Sequence, residues 1–280
     1  MAAGVVLVLC VLTWNQTYIW RNSESLWRHA LAVGAESSTA HYNLAYVLHK
    51  GGNLEEAIHH YRESQRFNPF SADAYYYLGD ALAEQGALSE AIAQYRGAIR
   101  IKPNFWGAHF NLAIVLERQG NGDDAIREYR QVVSLNPSFE EAHNNLALLL
   151  SKRGDIDEVV EHFRHSLKLK PSQSRVYFAL GNLFAIRGRF DVAVENFRQA
   201  IRIQPGFAEA YHNQGRVLAA QGKLDQAIES FQDAVRIQPD LAEAHQSLAM
   251  ALAEKGKKHE AAEHYQEAVR VQKSREAASK

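Results

Sequence analysis

The sequence has few of the features on which the common classes of enzyme and nucleic-acid-binding protein depend. Its 280 residues include one cysteine, Cys10, which excludes an internal disulfide and a cysteine-rich zinc site. The net charge of −1 gives no overall attraction to nucleic acid or to anionic lipid. No glycine-rich phosphate loop, GxSxG or HExxH motif occurs. We therefore expect a non-catalytic chain that needs no cofactor and no metal and binds no nucleic acid.

Proline is also scarce, but its six copies are regularly spaced along the chain. They are Pro69, Pro103, Pro137, Pro171, Pro205 and Pro239, each 34 residues after the last. Seven glycines keep the same spacing: Gly52, Gly86, Gly120, Gly154, Gly188, Gly222 and Gly256. A fixed period of this length, with each unit reading as two helices, is the signature of a solenoid built from repeats.

Each unit has the pattern of two amphipathic helices. If repeats begin at residues 38, 72, 106, 140, 174, 208 and 242, positions 4, 7, 8 and 11 form the apolar stripe of the first helix. Glycine at position 15 ends that helix, because glycine enters the left-handed conformation without a side-chain penalty. A second stripe follows, and proline at position 32 ends it. Asp240 and Glu243 have the spacing of a capping box for the next helix.

These positions resemble the tetratricopeptide (TPR) repeat, and the match recurs seven times between residues 38 and 273. The resemblance implies an all-α fold, a superhelical solenoid of seven 34-residue helix–turn–helix repeats. Residues 19–37 match only the second half of a repeat, so we expect a half-repeat capping helix there. An apolar leader, residues 1–18, precedes it, and a tail, residues 274–280, follows the last repeat.

The first 20 residues carry no charged side chain, but their apolar run is too short to span a membrane. They are consistent with a truncated transmembrane span, a short anchor or a signal h-region. Trp14, Tyr18 and Trp20 favour membrane association, because they lie where an interfacial aromatic belt would be. The alternative is a first helix packed on the end of the solenoid. We therefore expect a membrane-associated protein on an undetermined side, or a cytoplasmic one if the leader is not inserted.

In the TPR family the first helices line a concave groove, and the resemblance implies that positions 2, 5, 6, 9, 12 and 13 point into it. Position 6 holds Asn43, Asn111, Asn145 and Asn213. An asparagine offers one acceptor and one amide donor group, as a peptide unit does, so a row of them can hold an extended backbone. This row resembles the asparagine ladder of O-GlcNAc transferases. The alternative is that asparagine is simply frequent at this position.

Aromatic side chains lie beside this row at positions that no core requires, as binding anchors do. The predicted peptide-binding groove consists of Tyr42, Asn43, Tyr46, Tyr76, Tyr77, Phe110, Asn111, Asn144, Asn145, Phe178, Asn182 and Asn213. No repeat has the lysine at position 5 that TPR domains use for chaperone C-terminal tails, so we expect no binding of such tails.

The chain contains 13 histidines, each a potential metal ligand. His162 and His165 can lie on one side of a helix, but no third ligand has a useful spacing, which favours a surface pair. Four histidines, His41, His109, His143 and His245, occupy position 4, where other repeats have tyrosine. We expect them to be packed rings.

We therefore expect a non-catalytic scaffold that binds extended segments of partner proteins in its groove and is tethered to a membrane. The junction between leader and repeats resembles that of membrane glycosyltransferases with C-terminal TPRs. An alternative is therefore the TPR part of such an enzyme, or of a protein similar to O-GlcNAc transferase, without its catalytic part. A purely structural spacer is the third possibility.

Overall fold

The computed structural model describes residues 22–34 and 37–278, and in this part of the chain all regular structure is helical. Fifteen helices follow one another within these described residues, which confirms the all-α class and the paired pattern of seven repeats. They are α1 (Ser23–Ala32), α2 (Ser38–Lys50), α3 (Leu54–Phe67), α4 (Ala72–Gln85), α5 (Leu88–Ile101), α6 (Trp106–Arg118), α7 (Gly122–Leu135), α8 (Glu140–Arg153), α9 (Ile156–Leu169), α10 (Ser174–Ile186), α11 (Phe190–Ile203), α12 (Ala208–Ala220), α13 (Leu224–Ile237), α14 (Ala242–Glu254) and α15 (Lys258–Ala278).

Two compact units make up the chain, one ending at Ala142 and the other beginning at His143. The first unit contains the helix pairs α2/α3, α4/α5 and α6/α7. The second contains α10/α11, α12/α13 and α14/α15, together with α9 and most of α8. Within each unit, a first helix contacts both its own second helix and the first helix of the next repeat. This succession places one set of side chains along the line of first helices.

The period-34 glycines mark the ends of the first helices. Their φ angles lie between +69° and +90°, the left-handed region, as the sequence pattern predicts. Gly86, for example, has φ +90° directly after α4, and its N–H donates to the carbonyls of Leu82 and Ala83. These glycines therefore close each first helix and reverse the chain toward the second.

The capping box predicted at Asp240 is wrong. Helix α14 has Leu241 as its N-cap, without a side-chain hydrogen bond to the helix. The same holds for α6 and α12, whose N-cap residues are Phe105 and Phe207. Position 34 of the preceding repeat thus provides the N-cap residue of these helices. Its apolar side chain cannot accept hydrogen bonds from the helix N–H groups.

The core of the first six repeats is an aromatic ring at position 24 packed against a small residue at position 8. Tyr95 and Phe197 are 1% and 0% exposed. A Cβ added at Gly79 would lie 2.7 Å from the Tyr95 ring, and one added at Gly181 would lie 2.6 Å from the Phe197 ring. The absence of a side chain at position 8 is therefore what lets these helices approach so closely.

The described part of the chain begins with α1, which an arginine joins to the first repeat. Arg28 donates two hydrogen bonds to the Glu56 carboxylate, at 2.6 and 2.8 Å, and a third to Glu24. At the other end, α15 continues to Ala278, and Tyr265 on its outer face is 58% exposed. The leader, residues 1–18, lies outside the described residues. Among those described, no helix is long and apolar enough to cross a membrane.

Candidate functional site

Side chains at positions 5, 6 and 9 of successive first helices meet and form a continuous line within each unit, here called the first-helix surface. In the first unit Tyr42 of α2 contacts Tyr77 of α4, with ring centroids 5.8 Å apart. In the second unit the Asn213 amide of α12 donates to Asn182 Oδ1 of α10 at 2.8 Å. The residues predicted for the groove lie on these two surfaces, but they differ in what they can offer a ligand.

Tyrosines dominate the first-helix surface of the first unit. Tyr77 lies at their centre, with the ring of Tyr76 at 5.0 Å, that of Tyr46 at 5.5 Å and that of Tyr42 at 5.8 Å. Tyr46 is 37% exposed, and Lys50 Nζ lies 5.7 Å from its ring centroid. The structure thus brings together all four predicted tyrosines in one partly exposed cluster.

Beside the tyrosines lies a polar network centred on Asp80, a residue that the sequence analysis missed. Its Oδ1 accepts from Tyr95 Oη at 2.7 Å and from Asn111 Nδ2 at 2.8 Å. Asn111 Nδ2 also donates to Tyr76 Oη at 3.0 Å. Burial raises the pKa of Asp80 above its usual value, and the two hydrogen bonds oppose that rise. The network fixes the Asn111 side chain and uses both hydrogens of its amide.

Two of the four asparagines predicted to hold a peptide backbone already donate within the protein. Asn111 uses both hydrogens of its amide and Asn213 uses one, and the side-chain oxygen of each has no donor among the described residues. Asn43 is half-buried, and its side chain makes no hydrogen bond to another described residue. Asn145 is also half-buried. A row of asparagines each offering both a donor and an acceptor is not what the structure contains.

Asn144 differs most from its predicted role. Its Nδ2 donates to Gln173 Oε1 at 2.6 Å, and its own Oδ1 is buried without a hydrogen-bond partner. Gln173 is held in turn by Ser166, since Gln173 Nε2 donates to the Ser166 hydroxyl at 2.9 Å. Asn144 is therefore part of a polar packing contact with Gln173, and the hydrogen bond fixes its side chain.

Phe110 was predicted as an exposed anchor, and this prediction is wrong. It is 8% exposed, because Phe139 covers it at a centroid distance of 4.7 Å. Phe178 is half-buried under Phe207 in the same way, at 4.8 Å. The covering rings occupy position 34, where Phe105, Phe139 and Phe207 recur in the sequence. That recurrence was the available signal that position 5 is a packing position.

Two equivalent clefts open on the first-helix surfaces, one in each unit. The first lies between α4 and α6, has a volume of about 270 Å³ and is lined in part by Asp80, Glu84, Asn111, Ile114 and Arg118. The second lies between α10 and α12, has a volume of about 600 Å³ and is lined at the same repeat positions by Asn182, Ile186, Asn213, Arg216 and Ala220. The asparagine at position 6 is common to both clefts, and the charged groups are not.

Three repeats contain a pair of histidines that joins the first helix to the second, and the sequence analysis missed them. The Nδ1 atoms are 2.9 Å apart in His41/His60, 3.0 Å in His143/His162 and 3.1 Å in His245/His264. The constant spacing of 19 residues is visible in the sequence. Position 4 is thus a packed ring, as expected, but a hydrogen-bonded one. No group of three potential metal ligands forms among the described residues.

Models of the TPR family match most of the chain. Matches described as "TPR repeat" and "Tetratricopeptide repeat" cover residues 45–154, 138–205 and 178–279. The chain belongs to the tetratricopeptide repeat family. As a TPR protein it is a protein-interaction scaffold in class, and no catalytic domain is evident in it. No curated protein matches the sequence significantly.

Solved TPR structures resemble this TPR protein in fold. MamA from Desulfovibrio magneticus RS-1 is 22% identical, with a TM-score of 0.57 over 60% of this chain and 96% of that one. A TPR protein from Parabacteroides merdae is 19% identical, with a TM-score of 0.60 over 84% and 93%. PilF from Pseudomonas aeruginosa is 20% identical, with a TM-score of 0.58 over 69% and 88%. None of these comparisons supports the resemblance to O-GlcNAc transferases.

Proposed function

We propose that this TPR protein binds extended segments of partner proteins on its first-helix surfaces. The observation that carries the proposal is the cluster of Tyr42, Tyr46, Tyr76 and Tyr77, which is packed but partly exposed. Rigid aromatic side chains lose little entropy on binding and are the usual anchors of protein interfaces. The fold does not need Tyr46 for its core, so its exposure is available to a ligand.

The asparagines supply the second element of the proposal. Asn111 and Asn213, each oriented by hydrogen bonds from its amide nitrogen, present acceptor oxygens, which suit the N–H groups of an extended backbone. Because the donors are already fixed, these side chains are pre-oriented and lose little freedom when a ligand binds. Such binding uses one backbone N–H of the ligand for each asparagine and does not depend on the side chains of the ligand.

Membrane tethering remains part of the proposal. It is supported by the absence of charged side chains from residues 1–20, which lie outside the described residues. The alternative, that the chain is the TPR part of a membrane glycosyltransferase, has the sequence resemblance at the leader junction as its only support. Neither possibility alters the predicted use of the first-helix surfaces.

The test is selection of ligands from a random peptide library. Peptides of about 12 residues, which extend to about 40 Å, are displayed on phage and selected on the immobilised full chain. We expect enrichment of peptides that bind the chain and that lose binding when Tyr46 and Tyr77 are both replaced by alanine. Phe70→Ala is the matched control, because Phe70 is 81% exposed but precedes α4 in the loop at position 33.

Loss of binding by the Tyr46→Ala/Tyr77→Ala variant but not by Phe70→Ala would support the proposal. Failure of the library to enrich any sequence would contradict it. So would a selected pool whose members all bind the double variant and the parent chain equally, because the tyrosine cluster would then not be an anchor.

A further inference from the structure

The cleft between α10 and α12 differs from its counterpart in the first unit in its charge, because an unpaired cation lines it and no acidic residue does. Arg216 is the only charged residue among those lining it. Its guanidinium is exposed and makes no hydrogen bond or ion pair to any other described residue. The equivalent position in the first cleft is Ile114. Nothing in the packing of this region explains an arginine there.

The walls around Arg216 are apolar, and one of them is unusually exposed. Ile186 lines the cleft and is 80% exposed, and Ala185, Val217 and Ala220 line it beside that side chain. An exposed aliphatic side chain next to an unpaired guanidinium fits a ligand that carries an anionic group and an apolar group close together. Phosphate or nucleic acid alone would leave Ile186 in water.

The two asparagines of the cleft supply the remaining polar groups. Asn213 Nδ2 donates to Asn182 Oδ1, so the Asn213 oxygen and the Asn182 amide nitrogen are left without partners among the described residues. One acceptor and one donor in this arrangement match the N–H and C=O of a peptide backbone. The cleft therefore has a group for the main chain, a group for a carboxylate and a surface for an aliphatic side chain.

A second cavity adjoins this cleft at Asn182. It has a volume of about 770 Å³, and Asn182 lines both it and the Arg216 cleft. Phe178, Phe207 and the 47%-exposed Leu148 are among its other lining residues. A chain that passes Asn182 therefore lies in both cavities, which favours the side chain of an internal residue over a terminal carboxylate as the group at Arg216.

We propose that the α10/α12 cleft is a subsite for an aspartate or glutamate side chain next to an aliphatic residue, within an extended segment of a partner protein. The proposal rests on the proposed function of the first-helix surfaces and adds a charge preference to it. The Arg216 guanidinium donates to the carboxylate, Ile186 contacts the aliphatic side chain, and Asn182 and Asn213 bind the backbone. The first cleft suits this ligand less well, because Asp80 and Glu84 line it beside Arg118.

The test compares peptides selected from the phage library on three proteins: the full chain, Arg216→Glu and Arg118→Glu. Arg118 is the matched control, because it is an exposed and unpaired arginine of the first cleft. We expect a subset of peptides with an acidic residue beside Ile, Leu or Val on the full chain and on Arg118→Glu. On Arg216→Glu we expect lysine or arginine in place of the acidic residue.

The affinity is then measured by fluorescence anisotropy with one selected peptide. Replacing its acidic residue by the neutral amide should weaken binding to the full chain about tenfold, the effect of one charge-assisted hydrogen bond. It should not weaken binding to Arg216→Glu. Amidation of the peptide's C-terminus should have no effect, and a large loss on amidation would assign the binding to a terminal carboxylate and overturn the proposal.

Three further outcomes would also overturn it. Peptides without acidic enrichment that still depend on Tyr46 and Tyr77 would reject the Arg216 subsite and leave the proposed function intact. An acidic preference that survives in Arg216→Glu would place the carboxylate elsewhere. An empty selection on all three proteins would reject the subsite and the proposed function together.

Discussion

The clefts of the two units are built on the same repeat positions but have different chemistry. In the first cleft, Asp80 and Glu84 give an acidic lining, and the Tyr95 hydroxyl donates a hydrogen bond to Asp80. In the second cleft, Asn182 and Ile186 occupy the positions of the two acidic residues. Phe197 occupies the position of Tyr95. The hydrogen bond from the position-6 asparagine is 2.8 Å long in both. The two clefts therefore share the same helix packing, and their ligand preference is set by side chains that this packing does not require.

The largest expected effect tests whether the two clefts rest on equivalent cores. Tyr95→Ala and Phe197→Ala each remove a buried ring at position 24, and each should lower the free energy of unfolding by about 3–5 kcal/mol. Denaturant unfolding followed by circular dichroism measures this. A cost of less than about 1 kcal/mol at one of the two sites would show that the two clefts do not rest on equivalent cores.

The next effect isolates the hydroxyl that distinguishes the first cleft. Tyr95→Phe removes the donor to Asp80 and should destabilise the chain by about 1–2 kcal/mol, because the half-buried carboxylate loses a hydrogen bond. Tyr61→Phe is the matched control at the same repeat position, since the Tyr61 hydroxyl is buried without a partner. Its removal should be neutral or stabilising. Equal destabilisation by the two variants would contradict the Asp80 network.

The histidine pairs predict how stability depends on pH. Burial lowers the pKa of His60, His212 and His264, and the partner histidine contributes in the two paired cases. A lowered folded-state pKa means stability that is present above the unfolded pKa of about 6.5 and is lost as the pH falls. His109 acts in the opposite sense, because the Glu128 carboxylate raises its pKa.

Three histidines with a lowered pKa, against one with a raised pKa, predict a net loss of folding stability as the pH falls from about 7 to about 5. Denaturant unfolding at a series of pH values measures the loss. His264→Gln should reduce the pH dependence, because it removes one group with a lowered pKa. His109→Gln should increase it, because it removes the opposing group. A chain that is more stable at the lower pH would contradict this interpretation of the pairs.

The smallest effect concerns the charge of the first cleft itself. Asp80→Asn retains the oxygen that accepts from Tyr95 and Asn111 and converts this position to the amide found in the second cleft. Because burial raises the pKa of Asp80, its charge opposes folding, and the variant should be as stable as the parent or up to about 1 kcal/mol more stable at neutral pH. A loss of more than about 1 kcal/mol would mean that the charge is structural.

The fold was predictable because its signals are repeated. Gly86 and its six equivalents, together with the six prolines, mark every helix pair in the sequence, and an error at one repeat is corrected by the others. The presence of four tyrosines on one surface was also predictable, since positions 5, 6 and 9 follow from the helix register.

The chemistry of the surface was not predictable to the same degree, because it depends on contacts with residues distant in the sequence. Asn111 is a committed donor only because Asp80 and Tyr76 lie within reach in the preceding repeat. Phe110 is buried because Phe139, which follows its own helix pair, covers it. A register identifies the face on which a side chain lies, but it does not show which hydrogen bonds or ring contacts that side chain already makes.

Methyl NMR of the isoleucine side chains tests most directly whether the clefts are ligand surfaces. Ile114 lies in the first cleft and Ile186 in the second, whereas Ile58 and Ile126 are 5% and 2% exposed in the core. Titration with peptides selected from the library should shift the δ1-methyl signals of Ile114 or Ile186 and leave those of Ile58 and Ile126 unchanged. Binding that moves neither cleft signal would contradict the account.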